Sequence, residues 1–308
     1  MSPFTTVSLA SSLFRLFTTT SQGDAAGVAD GFPALLSARL NASPDAATTL
    51  FGQPTVDAVG LSQAVTRSGN DTGLTGLSPL GRNLRLNDPE AGYRMMSTIN
   101  RRDVTYRAQF AELSALQAGV ASLQPLGQML AEVKAGDSAV DLKAKLQEFV
   151  GRYNEWIARF DETVKPGGLL AGTRAAEVSL YELEQSIENP FNGAMRGVHG
   201  LRDLGITIDE TSNRARFDTA VFDSALARSR PAVLETIGEF GANFARSAQL
   251  LNESDNFIPR QLNNLDGVID YFADHRPALQ AEFGCGDPVQ PTAKVAQALA
   301  AYERLSRA

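Results

Sequence analysis

The chain has 308 residues, 43% of them apolar and 20% charged, a balance that fits a folded protein with a buried core and excludes wholesale disorder. Its net charge of -7 and scattered basic residues argue against a phosphate-tracking nucleic-acid surface. A single cysteine, Cys285, excludes an internal disulfide framework and a cysteine-built zinc site.

Residues 1–86 are rich in Ser, Thr, Gly, Ala and Pro, with short apolar patterns at Val7–Phe17 and Phe32–Leu40. Turn signals then recur every few positions, as in Ser68-Gly69-Asn70-Asp71 and Gly76-Leu77-Ser78-Pro79. We read this stretch as a loosely ordered N-terminal arm with two short helices. The opening MSPFTTVSLASSLFRLFTTT lacks a basic leader, and Ser and Arg15 interrupt its apolar run. It makes a poor signal peptide, so the expectation is residence in the cytoplasm or export without a cleaved leader. No run approaches the roughly 20 apolar residues of a membrane span.

Residues 87–251 read as a helical bundle with one β-hairpin. Asp88-Pro89-Glu90 is a helix start, with the acid as cap and the proline at the first helical position. The helix should run from about Glu90 to Lys134. Its seam is Tyr106, Phe110, Leu113, Leu116, Val120, Leu123, Leu126, Leu130 and Val133, and Pro125 should kink it rather than end it. Ala135-Gly136 breaks the pattern, and Asp137-Ser138 caps the next helix. That helix carries Leu142, Leu146, Phe149, Tyr153, Ile157 or Trp156, Phe160 and Val164 at alternating steps of four and three, the pattern of helix-on-helix packing. It stops at Lys165-Pro166-Gly167-Gly168. Two long seams joined by a short break predict an antiparallel helical hairpin.

Thr173 should cap a third helix, Arg174 to Glu188, with Val178, Leu180, Leu183 and Ile187 inward. Gly205-Ile206-Thr207-Ile208, the polar turn 209–213 and Arg214-Ala215-Arg216-Phe217 predict a small β-hairpin. Asp218 should cap a helix carrying Val221, Phe222, Ala225 and Leu226, and Pro231 should open another with Val233, Leu234, Ile237, Phe240, Phe244 and Leu250. Residues 252–308 read as a helical tail, with a helix around Ile258–Phe272, a break at Gly284–Pro291 and a final amphipathic helix bearing Val295, Leu299, Tyr302 and Leu305.

No stretch spells out catalysis. His199 and His275 sit beside breaks, with no His or Cys at ligand spacing. Gly76-Leu77-Ser78-Pro79-Leu80-Gly81 matches a nucleophile elbow poorly, since its second glycine is one position late and no strand precedes it. No loop ends in Gly-Lys-Ser/Thr, and no dinucleotide fingerprint follows a strand. Asp209, Thr211 and Asn213 alternate as calcium ligands do, but Arg214 stands where glycine is needed and Ala220 where the bidentate acid belongs. Glu182, Glu184 and Glu188 read as a solvated acidic face, because paired carboxylates need a water-shielded cleft to do acid–base work. The expectation is a non-enzymatic chain with no cofactor or metal.

Three stretches carry a family likeness. Phe149-Val150-Gly151-Arg152-Tyr153-Asn154 is similar to a Phe-Val-x-x-Tyr-Asn motif on a long helix. Leu169-Leu170-Ala171-Gly172 is similar to a Leu-Leu-Gly-Asp-type turn before the next helix. Leu201-Arg202-Asp203-Leu204-Gly205-Ile206-Thr207, followed by Phe217-Asp218 and Ala225-Leu226, is similar to a Leu-x-x-Leu-Gly-Ile-Thr hairpin and its following helix. Together with the coil from Arg107 to Leu130, they make residues 95–250 resemble the bacterial flagellar hook-associated protein 2 family, the filament cap. The chain departs from that family in three ways. The two coils are joined directly by Ala135-Gly136-Asp137 without the family's large inserted outer domains, the hairpin-turn glycine is replaced by polar residues around Asn213, and residues 1–86 do not match the usual start.

The resemblance implies an exported, extracellular structural protein of the flagellum, a cap-like or other axial or junction component that self-associates through helical seams. Its implied partners are copies of itself, flagellin or hook-junction proteins, and an export chaperone. Leu116, Val120, Leu123, Leu146, Phe149, Tyr153 and Asn154 are the expected inter-helix interface, and Leu299, Tyr302 and Leu305 the expected terminal assembly contacts. Asn154, polar and beside the seam, is either a register-fixing hydrogen-bond partner or an exposed position. The competing reading is a cytoplasmic helical adaptor or export chaperone that binds a partner helix.

Overall fold

A computed structural model describes residues 76–307. The expected short helices of the N-terminal arm lie outside those residues. What is described is mainly helical, with one small two-stranded antiparallel sheet.

Helix α1 (Pro89–Ala131) is the spine, 43 residues long. Asp88 accepts from the Ala91 N–H at 2.9 Å and Pro89 fills the first turn, as local chemistry dictates. Pro125 lies inside the helix on an exposed face, where water can take the carbonyl that proline leaves unbonded. After residues 132–138 the chain reverses into α2 (Ala139–Val164), whose start is a capping box: Ser138 accepts from the Asp141 N–H, and Asp141 accepts from the Ser138 N–H. The pairing of Glu112 with Arg159, at 3.0 Å, and of Gln109 with the Leu169 carbonyl, at 3.1 Å, sets α1 and α2 antiparallel.

α3 (Arg174–Glu188) follows, then two short 3-10 turns, Ala194–Arg196 and Leu201–Leu204. Strands β1 (Ile206–Asp209) and β2 (Arg214–Phe217) pair antiparallel, Ile206 opposite Phe217 and Ile208 opposite Ala215. Asn213 turns the hairpin with φ 53°, a left-handed conformation that asparagine tolerates better than most residues, so the expected glycine is dispensable. α4 (Thr219–Arg228) starts where Asp218 accepts from the Ala220 and Val221 N–H groups.

α5 (Arg230–Leu251) and α6 (Phe257–Phe283) then run in tandem back along α1. The most extensive contact of α1 is with α5 rather than with its hairpin partner α2. Glycines make it possible. A Cβ on Gly127 would lie 2.7 Å from Ala245 N and 2.8 Å from Gly241 O, and one on Gly241 would lie 2.6 Å from Gly127 O. The two backbones touch with no side chain between them.

α6 continues past the expected end at Phe272 to Phe283. Pro277 is exposed, and the carbonyl it orphans, on Ala273, also faces water, so the helix passes through the proline at little cost. At its end, Asn83 donates to the Ala281 and Glu282 carbonyls at 3.0 and 2.8 Å, capping two of the free carbonyls. Residues 76–86, expected to belong to the loose arm, are therefore anchored to the helical body.

α7 (Ala293–Leu305) lies on the first half of α1 with Ala298 as its one buried residue. The residues read as a C-terminal tail thus fold back on the spine. The larger core gathers α2, α3, α5, the hairpin and the second half of α1, and a smaller one, Met96, Ile99, Val268 and Phe272, joins α1 to α6. Between them Asp103, buried, binds both Arg107 (2.8 Å) and Arg276 of α6.

Candidate functional site

Two of the three stretches that carry the family likeness meet in space, 61 positions apart, and the third contributes Leu170 to the same core. Phe149 packs edge-on against Phe240 and Phe244, at 5.1 and 4.9 Å between ring centres. One turn on, Asn154 donates from its amide to the Ala215 carbonyl at 2.9 Å and accepts the Ala215 N–H at 2.8 Å. These groups of Ala215 lie on the outer edge of β2, so the side chain of α2 serves the hairpin as a third strand would. Asn154 is half-buried and supplies a registering bond, the first of the two alternatives left open by the sequence.

The turn after α2 is built as tightly. The Leu170 N–H bonds the Thr163 carbonyl at 2.9 Å, and the Leu170 side chain is fully buried. Thr173 occupies the cap position of α3 without capping it, and its hydroxyl donates to the Leu170 carbonyl at 2.7 Å. The hairpin closes by the Asp218 N–H on the Gly205 carbonyl, 2.8 Å, with Gly205 at φ 84°.

Leu116, Val120, Leu123, Leu146, Phe149 and Tyr153 are all buried in the chain's own core. In this conformation they make inter-helix contacts within one chain, and their burial leaves them nothing to present to a second copy. Leu299 and Tyr302 are half-buried against α1. Tyr302 meets Phe110 edge-on at 5.7 Å, and the Arg107 guanidinium lies 5.4 Å from its ring centre. Leu305 is exposed.

Two polar groups of α2 are buried without partners, the Tyr153 hydroxyl and the Trp156 Nε1–H. Burial, helped by Glu184 and Glu188, pushes the Tyr153 phenol well above its ordinary range. Burial also raises the Glu182 carboxyl, and raises Glu184 with help from Glu188, so this face of α3 is less solvated than its charges imply. The Asp209 carboxylate is engaged by the hydroxyl and N–H of Ser212, the N–H of Thr211 and Arg216, and its pKa is lowered chiefly by Ser212. His199 Nδ1 stands 3.6 Å from Asp203, and His275 stacks on Tyr271 at 4.1 Å. Among the described residues no cluster of His, Cys, Asp and Glu has the composition to hold a metal ion, and no helix is long and apolar enough to cross a membrane.

Sequence reasoning missed the exposed apolar residues. Phe191 and Met195, between α3 and β1, are 75% and 92% exposed, and Val140 and Tyr181 also face solvent. Their only sequence signal was an apolar residue on each side of Gly193, which gave no periodicity to follow. Comparison with protein-family models, with curated proteins and with solved structures returned no match for this chain.

Proposed function

We propose that the chain is a structural protein of the bacterial flagellum, a cap-like or other axial or junction component that assembles with copies of itself outside the cell. The observation that carries the reading is the convergence just described. Residues 149–154, 169–172 and 201–217 resemble one family; in the fold Asn154 and Ala215 join the first stretch to the third, and Leu170 of the second lies in the same hydrophobic core. Its partners on this reading are its own copies, flagellin or hook-junction proteins, and an export chaperone before secretion.

The assembly surface differs from the buried seam. With the seam residues consumed inside the chain, contacts between copies fall to α7 and to the exposed apolar residues.

The test is fractionation. Filaments sheared from cells that make the full chain should contain it by immunoblot, and they should lose it when the flagellar export apparatus is deleted. Retention of the whole pool inside the cell in both strains would sink the reading and favour the cytoplasmic adaptor.

A further inference from the structure

Of the helices laid along α1, α7 is the most lightly held. α6 brings six buried apolar residues and the buried Asp103–Arg276 ion pair. α7 buries Ala298 alone, and its aromatic contact is half-buried: Tyr302 lies edge-on to Phe110 at 5.7 Å, with the Arg107 guanidinium 5.4 Å from the Tyr302 ring centre. Among the described residues, the side-chain hydrogen bonds and ion pairs of 293–307 stay within that stretch, Arg307 to Glu303 at 3.6 Å and the Ser306 hydroxyl to the Glu303 carbonyl at 3.2 Å. An open cleft of about 410 Å³ lies between α1, α6 and α7, lined by Val104, Arg276, Leu299 and Tyr302 among others, so α7 leaves part of its seat unfilled. Few buried contacts and unfilled space put α7 at the low end of local stability.

The chain leading to α7 divides into a fixed part and a free part. Residues 284–287 are fixed. The Cys285 N–H bonds the Gly81 carbonyl at 2.8 Å, the Asn100 amide donates to the Cys285 and Asp287 carbonyls at 3.0 and 3.1 Å, and the Asp287 N–H bonds the Ser97 hydroxyl at 2.8 Å. Among the described residues no hydrogen bond ties 288–291 to the body. Pro288 and Pro291 have no N–H to give, and Thr292 occupies the cap position of α7 without a side-chain cap bond. α7 can therefore leave α1 as a unit, pivoting at 288–292, while the clasp at 284–287 keeps its bonds.

What α7 vacates is a strip of α1 that bears Val104 and Phe110, with the Arg107 guanidinium beside them. The occupant that fits this strip is observed, because α7 itself lies there. A second copy carries the same helix on the same hinge, and its α7 makes there the contacts that the first copy's own α7 makes. We infer that α7 is exchanged between copies, the α7 of one chain seating on the strip of α1 that bears Val104 and Phe110 in another.

Since the seated contacts are the same in both arrangements, concentration decides between them. A short tether holds a chain's own α7 at an effective concentration on the order of millimolar. An isolated chain in dilute solution therefore keeps its own helix, and exchange takes over where copies are gathered at or above that concentration, as at a growing assembly. Two chains that trade α7 reciprocally make a closed two-fold pair, while one-way donation from copy to copy makes an open chain. The inference rests on the self-assembly part of the function proposed above and gives α7 its role there.

The test separates the helix from its seat. One full-length chain carries Tyr302→Asp, which disables its α7, and the other carries Phe110→Asp, which disables its strip. Circular dichroism checks that each folds, and Val104→Asp replaces Phe110→Asp if that chain does not. Neither chain alone can exchange, but the intact α7 of the second fits the intact strip of the first. Light scattering over a concentration series up to about 1 mM should find about tenfold more dimer in the equimolar mixture than in either chain alone. A mixture with no more dimer than its components overturns the inference. In the unaltered chain, hydrogen exchange over α7 should be at least about tenfold faster than over residues 258–272 of α6, and equal protection would overturn the inference as well. Sheared filaments that contain the protein, with no dimer excess in the mixture, would sink the exchange and leave the flagellar reading standing. A dimer excess with a wholly intracellular pool would do the reverse.

Discussion

Asn154 on α2 and Ala215 on β2 exchange two hydrogen bonds, 2.9 and 2.8 Å, across 61 positions of sequence. The primary amide donates to the carbonyl through its nitrogen and accepts from the N–H through its oxygen, and no apolar isostere does either. Asn154→Ala strands both backbone groups of Ala215, a buried residue, and should cost about 2 kcal/mol of unfolding free energy. Asn154→Asp keeps the acceptor, sets a carboxylate against the Ala215 carbonyl, and should cost at least as much. Urea denaturation is the check, and a loss under about 0.5 kcal/mol for Asn154→Ala would show that water replaces the pair without penalty.

The α1–α5 crossing gives a contrast between glycines. Gly241→Val forces side-chain atoms into the Gly127 backbone and should destabilise by at least about 3 kcal/mol, or stop the chain from folding. Gly151, exposed within α2, has nothing within 4 Å of an added Cβ. Gly151→Ala should raise stability by about 0.5–1 kcal/mol through helix propensity alone. Equal effects from the two substitutions, read as shifts in thermal midpoint, would mean that the glycine contact is loose.

Tyr153 buries a hydroxyl that bonds nothing. Tyr153→Phe should therefore be neutral or stabilising by up to about 1 kcal/mol, whereas Phe149→Ala in the same seam should cost about 4 kcal/mol. The raised phenol also predicts an alkaline effect. Its stabilising share is whole below the ordinary value near 10 and is lost as pH rises above it, because the unfolded chain ionises first. Tyr153→Phe should soften the loss of stability above pH ~10. A marked destabilisation of Tyr153→Phe at neutral pH would reveal a hydroxyl that is bonded after all.

Glu182 gives the acid-side counterpart. Burial raises its carboxyl, so its stabilising share is present below about pH 4.3, the unfolded value, and is lost as pH rises through the higher folded value. Glu182→Gln should be more stable than the parent chain at pH 7, with the difference closing as pH falls toward about 4. Denaturation curves at the two pH values decide it, and a constant difference would assign the effect to packing instead of charge.

Element boundaries were legible wherever the signal is local. Asp88-Pro89, Ser138 with Asp141, Asp218 and Pro231 each bond or constrain groups within one turn, and the helices start where those residues say. The α2 seam from Leu142 to Phe160 was legible for the same reason, since a side chain's direction on a helix follows from its position alone. The hairpin was legible from its alternation on both sides of a polar turn, and the structure adds the register, Ile206 opposite Phe217. Local rules stop where neighbours compete. Thr173 looks like a cap, but its hydroxyl turns back to the Leu170 carbonyl and bonds no N–H of the helix. Pro277 looks like a stop, but the bond it removes faces water.

By itself, then, the sequence determined which segments are helix or strand, where most of them begin, and which face of each is apolar. Tertiary structure alone decided what those faces meet. It set α5 against α1, because only Gly127 and Gly241 together let two backbones touch. It turned a seam expected between copies into the core of a single chain, and it left Phe191 and Met195 in water on a loop held from beneath by Asn192 and Gly193. Capping and periodicity act over one or two turns of chain. Steric fit and burial depend on residues brought together from distant positions, and no local pattern encodes which of those will meet.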